Sequence, residues 1–169
     1  MKVTVLRDGR SVTMRPLERR DATALLDALH RADPMDLRRR FLGTPPPDSY
    51  LVNQLRHADG VHDLVLGAFD DTGRLVGVAQ FDRPDDKPTA EVAIEVAKDW
   101  QRDGLGLALL THLVELARSR GVHEFTATYF ADNIPICRLL RAIGHVITCT
   151  YECGEGRMRL SLDEVREAS

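Results

Sequence analysis

Two glutamates, Glu91 and Glu95, stand in an alternating run, Thr89–Ala97, that leads directly into "KDWQRDGLGLALL". On a strand, Ala90, Val92, Ile94 and Val96 share the apolar face, and Glu91, Ala93, Glu95 and Ala97 point the other way. Two carboxylates flanking a small alanine leave space beside them, and desolvation at such a space raises a carboxyl pKa toward the range of a general base. The Gly-x-Gly turn that follows opens a long apolar-periodic segment. A strand that feeds a helix through glycines presents unpaired backbone N–H groups and a partial positive charge, which suit a phosphate. Neither familiar nucleotide loop fits. A P-loop needs a Gly-Lys-Ser/Thr ending that "RDGLGLAL" lacks, and the dinucleotide fingerprint needs a third glycine where this chain has Leu109.

Other reactive residues are sparser. Cys137, Cys149 and Cys153 match no metal-ligand spacing and fit reduced thiols; Cys149 and Cys153, about 13 Å apart on an extended strand, need a turn between them to pair. The run Arg38, Arg39, Arg40 reads either as a solvated helix face or as a contact to coenzyme phosphates or an acidic substrate. His112 falls at an expected exposed helix position, and Trp100, the sole tryptophan, is expected to pack beside the loop.

The elements that position these residues follow from periodicity and punctuation. Lys2–Leu6 and Ser11–Arg15 alternate about Asp8-Gly9 and predict a hairpin. Asp21 is a candidate cap for a helix with Leu25, Leu26 and Leu29 as its stripe, stopped at Asp33-Pro34. A short helix follows at Met35–Leu42. Ser49 is a candidate cap for a third helix through about His57 that buries Leu51, Val52 and Leu55. Strands are predicted at Leu64–Phe69, Arg74–Phe81 and Thr89–Ala97, then a helix at Gly104–Arg120 with Leu109, Leu110, Leu113, Val114 and Ala117 inward. Val122–Tyr129 reads as a strand, Asn133–Ile143 as a helix ended by Gly144, and Val146–Tyr151 with Arg157–Leu162 as a closing hairpin. This order predicts a mixed α/β domain, mostly antiparallel, in which Thr89–Ala97 and Val122–Tyr129 are parallel neighbours joined by a helical crossover. The loop at Gln101 then lies at a strand's carboxyl end, where ligands commonly bind.

Composition limits the alternatives. The 169 residues, 43% apolar and 29% charged, suit one domain spanning 1–169. A net charge of −3 gives no global reason to expect nucleic acid or an anionic membrane as partner. The apolar runs are too short for a membrane span and "MKVTVLRDGR" lacks a signal-peptide core, so a cytoplasmic location is expected.

"VAKDWQRDGLGLALLTHLVELARSRGV" followed by "ADNIPICRLLRAIGH" resembles the GNAT superfamily of N-acetyltransferases, and the likeness extends to the whole element order. Gln101, Gly104 and Gly106 fit that family's Gln/Arg-x-x-Gly-x-Gly/Ala signature, and Asn133 fits its asparagine. The resemblance implies acetyl-CoA or another acyl-CoA as donor. It implies that backbone groups of Ile94, Glu95 and Val96 pair with the pantetheine arm, that Arg102, Asp103, Gly104, Leu105, Gly106 and Leu107 wrap the pyrophosphate, and that Asn133 helps hold the cofactor. Glu91 aligns with the glutamate many members use as general base, with Glu95 the runner-up. A base is useful because an acceptor lysine, with a reference pKa near 10.4, is protonated at neutral pH. Leu140 occupies the position where many members carry a tyrosine that protonates the departing thiolate; Cys137, Tyr129 and His145 are the candidate substitutes. "DLRRRFLG" and "TAEVAIEV" further resemble the acetyltransferase domain of bacterial protein lysine acetyltransferases. The implied acceptor is a primary amine, on a protein lysine or a small molecule. A non-catalytic acyl-CoA-sensing module is the remaining alternative.

Overall fold

The predicted N-terminal hairpin forms from β1 (Lys2–Val5) and β2 (Ser11–Pro16), with Gly9 supplying the left-handed turn at φ 87°. These features belong to a computed structural model that describes residues 1–163. Three helices follow: α1 (Ala22–Arg31), α2 (Pro34–Phe41) and α3 (Asp48–His57). Then come β3 (Asp63–Phe69), β4 (Leu75–Asp82), β5 (Thr89–Val96), α4 (Leu105–Arg118), β6 (Glu124–Phe130), α5 (Ile134–Ile143), β7 (His145–Glu152) and β8 (Glu155–Ser161).

The strands make one eight-stranded sheet in the order β1-β2-β3-β4-β5-β6-β8-β7. Every neighbouring pair is antiparallel except β5 and β6, which run parallel across the α4 crossover as predicted. The sheet separates two cores. On one face Leu105, Leu109, Leu110 and Leu113 of α4 pack with Ala79, Phe81, Phe125 and Leu160. On the other, Leu25 and Leu29 of α1 and Leu51 and Leu55 of α3 cover Val65, Leu75 and Val78. Gly77 allows the close approach of α4 to β4: a Cβ there would meet Leu109 Cδ1 at 2.8 Å. Beyond β5 this second face is left open, and Thr148, Thr150, Arg157 and Arg159 stand exposed on it.

Two helix starts differ from the sequence expectation. Asp21 precedes α1 but does not cap it with its side chain; its carboxylate accepts from both terminal nitrogens of Arg15 at 2.7 Å and from the Glu18 backbone N–H at 2.8 Å. A guanidinium fork outcompetes a backbone N–H for a carboxylate. Ser49 lies inside α3, which begins at Asp48 after Pro47, whose φ of −58° and ψ of 149° are extended, and the start carries no side-chain cap hydrogen bond. His112 also departs from expectation: its side chain is 12% exposed and Nδ1 lies 2.9 Å from Glu115. Leu26, Val52 and Val114 are half-buried rather than central to either core. Cys153 occupies the turn between β7 and β8, off the strand that carries Cys149, and all three cysteines are free thiols.

Candidate active site

The parallel pairing of β5 with β6 is short. Thr89, Ala90 and Glu91 oppose Glu124, Phe125 and Thr126, and among the described residues the ladder stops there. Val92–Val96 and Ala127–Phe130 then diverge, so the β6-facing edge of β5 has no strand partner. A strand edge with free N–H and C=O groups is a template for an extended ligand. The opening is a cleft of about 760 Å³, within the usual range for small-ligand sites. Its walls include Val92, Ala93, Ile94, Glu95 and Val96 on one side and Ala127, Thr128 and Tyr129 on the other, with Asn133, Ile136, Leu139 and Leu140 from the α5 region closing it.

At its wide end the cleft meets the N-terminus of α4. Gly104 takes φ 93°, a conformation that glycine adopts without penalty, and turns the chain into the helix. The first N–H groups of α4 have no intrahelical partner and, with the helix dipole, favour an anion. Arg102, Gly104, Gly106 and Leu107 line the cleft here, joined by Arg7 and Arg138. Asp103 and Leu105 offer backbone only: the Asp103 carboxylate pairs with Arg10 at 3.1 Å, and Leu105 is buried in the core. The Gln101 side chain donates to Val96 C=O at 3.0 Å and to Asp36 Oδ2 at 2.8 Å, which ties the end of β5 to both the loop and α2. Asn133 lines the cleft and also caps α5, its Oδ1 accepting from Ile136 N–H at 3.4 Å.

The two glutamates share the predicted face and occupy different surroundings. Glu95 is half-buried in the cleft, and burial pushes its carboxyl up to about 7 against the opposing pull of Arg40, with Asp36 and Asp33 adding to the rise. Glu91 is exposed and lies outside the lining of the cleft, at the apex where the ladder ends. Across the sheet it is on the same rung as Asp82, and Asp82 on the same rung as Asp63. Three carboxylates therefore stand on adjacent strands, and Asp63 is pushed up to about 6, first by its burial and then by Asp82. The face near the apex is acidic and suits an ammonium group.

The arginine run divides. Arg38 is exposed, its guanidinium 5.7 Å from the Phe130 ring centroid. Arg39 lies 3.7 Å from Asp36. Arg40 reaches inward, lines the cleft and donates to Gln80 Oε1 at 2.7 Å. Leu140, at the position of the tyrosine acid in the family the sequence resembles, is buried. Tyr129 also lines the cleft, but its hydroxyl sits 3.5 Å from the Tyr151 hydroxyl and 3.7 and 3.8 Å from the sulfurs of Cys149 and Cys137. Burial, then these neighbours, raise its pKa, so it holds its proton tightly. His145 is exposed at the start of β7, and Trp100 is buried beneath the Arg10 guanidinium, 3.8 Å from its ring centroid.

Sequence reasoning missed Arg7, Arg138 and Gln80. Arg7 comes from the N-terminal hairpin, and its backbone N–H bonds Asp103 C=O at 3.2 Å across the sheet end. No local signal marks it. Arg138 follows Asn133 on α5, and the helical period would have put it on a cleft-side turn.

Comparison with known proteins places this arrangement. The model of the acetyltransferase (GNAT) family matches residues 24–145. An acetyltransferase of Pseudomonas aeruginosa is 30% identical over 148 residues, covering 85% of this chain and 80% of the relative. The L-methionine sulfoximine/L-methionine sulfone acetyltransferase of the same species is 32% identical over 117 residues, 62% of this chain and 68% of the relative. The crystal structure of the GNAT domain of S. lividans PAT superposes with a TM-score of 0.86 at 27% identity, covering 95% of this chain and 96% of that one. A splayed parallel strand pair, a Gly-x-Gly helix start at its wide end and these likenesses agree: the chain belongs to the GNAT family of acetyltransferases.

Proposed function

We propose that the protein acetylates a primary amine by direct attack on acetyl-CoA, with Glu91 as general base. Acetyl-CoA is the donor, and the chain is an acetyl-CoA-dependent N-acetyltransferase. The observation that carries the proposal is the early end of the β5–β6 ladder. The unpaired edge from Val96 back to Val92 runs four strand rises, roughly 13 Å, from the helix N-terminus to the apex. A pyrophosphate held by the backbone of Arg102–Leu107, beside Arg7 and Arg138, lets an extended pantetheine arm follow Ile94, Glu95 and Val96, with its thioester at the apex. Glu91 is the carboxylate nearest that point on the open face. The acidic row formed with Asp82 and Asp63 draws an ammonium to it.

In the reaction Glu91 takes a proton from the ammonium, directly or through water, and the free amine attacks the thioester carbon. The carbonyl becomes an oxyanion, for which the free N–H groups of the β5 edge are donors. As it collapses, the carbonyl re-forms and the C–S bond breaks, and the second proton on the nitrogen passes to water or to the departing thiolate, giving a neutral amide and coenzyme A. The thiolate leaves without a dedicated protein acid, or takes its proton from water, because a thiolate is a modest base. That fits a site in which Leu140 replaces the tyrosine and Tyr129 is occupied within its own cluster.

A protein lysine acceptor is supported by the resemblance of "DLRRRFLG" and "TAEVAIEV" to bacterial protein lysine acetyltransferases, and a small amine by the likeness to the methionine sulfoximine enzyme. Mass spectrometry of candidate acceptors incubated with acetyl-CoA separates the two. The base assignment has its own test. Glu91→Gln preserves size and hydrogen bonding but cannot take a proton, so turnover should fall by about 10²–10⁴-fold with acetyl-CoA affinity nearly unchanged. Raising the pH should recover part of the rate by supplying free amine. Full activity in Glu91→Gln alongside loss in Glu95→Gln would move the base to Glu95.

A further inference from the structure

The mouth of the cleft concentrates positive charge in a chain whose net charge is −3. Arg7, Arg102 and Arg138 line it from three separate places: the turn between β1 and β2, the loop before α4, and α5. All three are exposed, and among the described residues none of them forms an ion pair. The acids around them are already engaged. Asp8 and Asp103 both pair with Arg10, which also donates to Asp99 C=O at 3.1 Å and lies over the Trp100 ring. The Asp99 carboxylate accepts from both terminal nitrogens of Arg74 at 3.2 Å. Arg10 is therefore a strut that fixes the β1–β2 turn on the loop, helped by the Arg7 N–H on Asp103 C=O. The Arg7 side chain is left over for the cleft. Its Cγ and Nε would each lie 3.9 Å from a Cβ at Gly104, so it runs along the glycine that opens α4. Over the second glycine stands α5: Leu139 Cδ1 would lie 3.1 Å from a Cβ at Gly106, and Arg138 is its neighbour in the chain.

Coenzyme A brings more negative charge than a helix start can match. Its pyrophosphate suits the free N–H groups of α4, where backbone donors and the helix dipole act together. Its ribose carries a separate 3′-phosphomonoester, with a charge of about −1.5 to −2 at neutral pH. A pantetheine arm that follows β5 toward the apex sends the nucleoside the other way, out of the wide end and past these arginines. A guanidinium binds phosphate through parallel N–H bonds and is weakly hydrated, so an exposed one loses little by turning to such a dianion. Arg102 lies within the loop that seats the pyrophosphate in the reading above. Arg7 and Arg138 come from outside that loop and are free to read a second phosphate.

We propose that Arg7 and Arg138 form a subsite for the ribose 3′-phosphate of the donor. The subsite makes free coenzyme A thioesters the donors and discriminates against an acyl group on a phosphopantetheine that lacks the nucleotide, as on a carrier protein. This rests on acetyl-CoA as donor and names the part of it that side chains recognise.

Calorimetric titration with coenzyme A and with 3′-dephospho-coenzyme A tests it without an acceptor. The subsite predicts that wild type binds coenzyme A at least about tenfold tighter than the dephospho form, the size expected for charge-assisted hydrogen bonds to a dianion. With Arg7→Gln and Arg138→Gln combined, the preference should fall below about threefold, the remainder being screened long-range attraction, while affinity for the dephospho form stays nearly unchanged. Arg118→Gln, on an exposed residue at the far end of α4, also removes one positive charge and should keep the full preference. A preference that Arg118→Gln removes as well would belong to the general field of the protein and overturns the subsite. Wild type that binds both forms alike overturns it too, and that comparison needs no variant. Equal loss of affinity for both forms in the combined variant assigns the two arginines to the pyrophosphate instead. If neither form binds to wild type, the donor site itself fails and the subsite falls with it.

Discussion

Glu95→Gln should make the protein more stable, and increasingly so as the pH rises. In the folded protein burial holds the Glu95 carboxyl at about 7, against the ordinary glutamate value of 4.5. The unfolded chain therefore loses this proton first. A carboxyl whose folded pKa is raised contributes stability that is complete below the unfolded pKa and is lost as pH rises through the folded one. Between pH 5 and pH 8 these two values correspond to about 2.5 kcal/mol of stability that wild type loses and the glutamine variant keeps. For a chain of this size that is roughly 5–10 °C in Tm. The measurement is calorimetric unfolding of both proteins at pH 5, 6.5 and 8 without ligand. Every other titrating group is common to the two, Asp63 included, so the difference in Tm isolates Glu95. A gap that stays flat across the range would show that Arg40 already holds Glu95 ionised in the fold. A gap that shrinks with pH would reverse the sign of the argument.

The glycine turn and the asparagine cap give two further expectations. Gly104→Asp and Gly106→Asp add bulk and negative charge where the helix N–H groups point, so calorimetry should show acetyl-CoA binding at least tenfold weaker. Gly104→Ala serves as the control for the φ of 93°, which costs a non-glycine residue on the order of 1 kcal/mol. Unchanged affinity in a folded aspartate variant would remove the pyrophosphate from this loop. Asn133→Ala loses a long cap hydrogen bond of 3.4 Å, so stability should fall by about 1 kcal/mol or less; a rise in the KM for acetyl-CoA beyond that would assign the side chain to the cofactor as well.

How far the sequence reached depended on whether the deciding interaction was local. The α4 helix, its glycine turn and the strand before it were legible because period, punctuation and face are properties of neighbouring residues. Asp21 and Ser49 were misread as side-chain caps, since what decides a cap is the competition for its oxygen. Arg15 comes from β2 and claims the Asp21 carboxylate, which no window around Asp21 reveals. The same limit shaped the reading of the site. The alternating strand puts Glu91 and Glu95 on one face, and only the structure shows that the parallel ladder with β6 ends between them. That end leaves one carboxylate at an open apex beside Asp82 and the other enclosed beside Arg40. "LRRRF" read as one basic run, and only the packing of α2 over β5 separates the outward Arg38 from the inward Arg40. The sequence thus locates the donor, whose recognition rests on backbone and a helix end, better than the acceptor, whose recognition rests on side chains brought together across the sheet. Arg40, Gln80 and Glu91 come from α2, β4 and β5, and only the folded sheet brings them to one face.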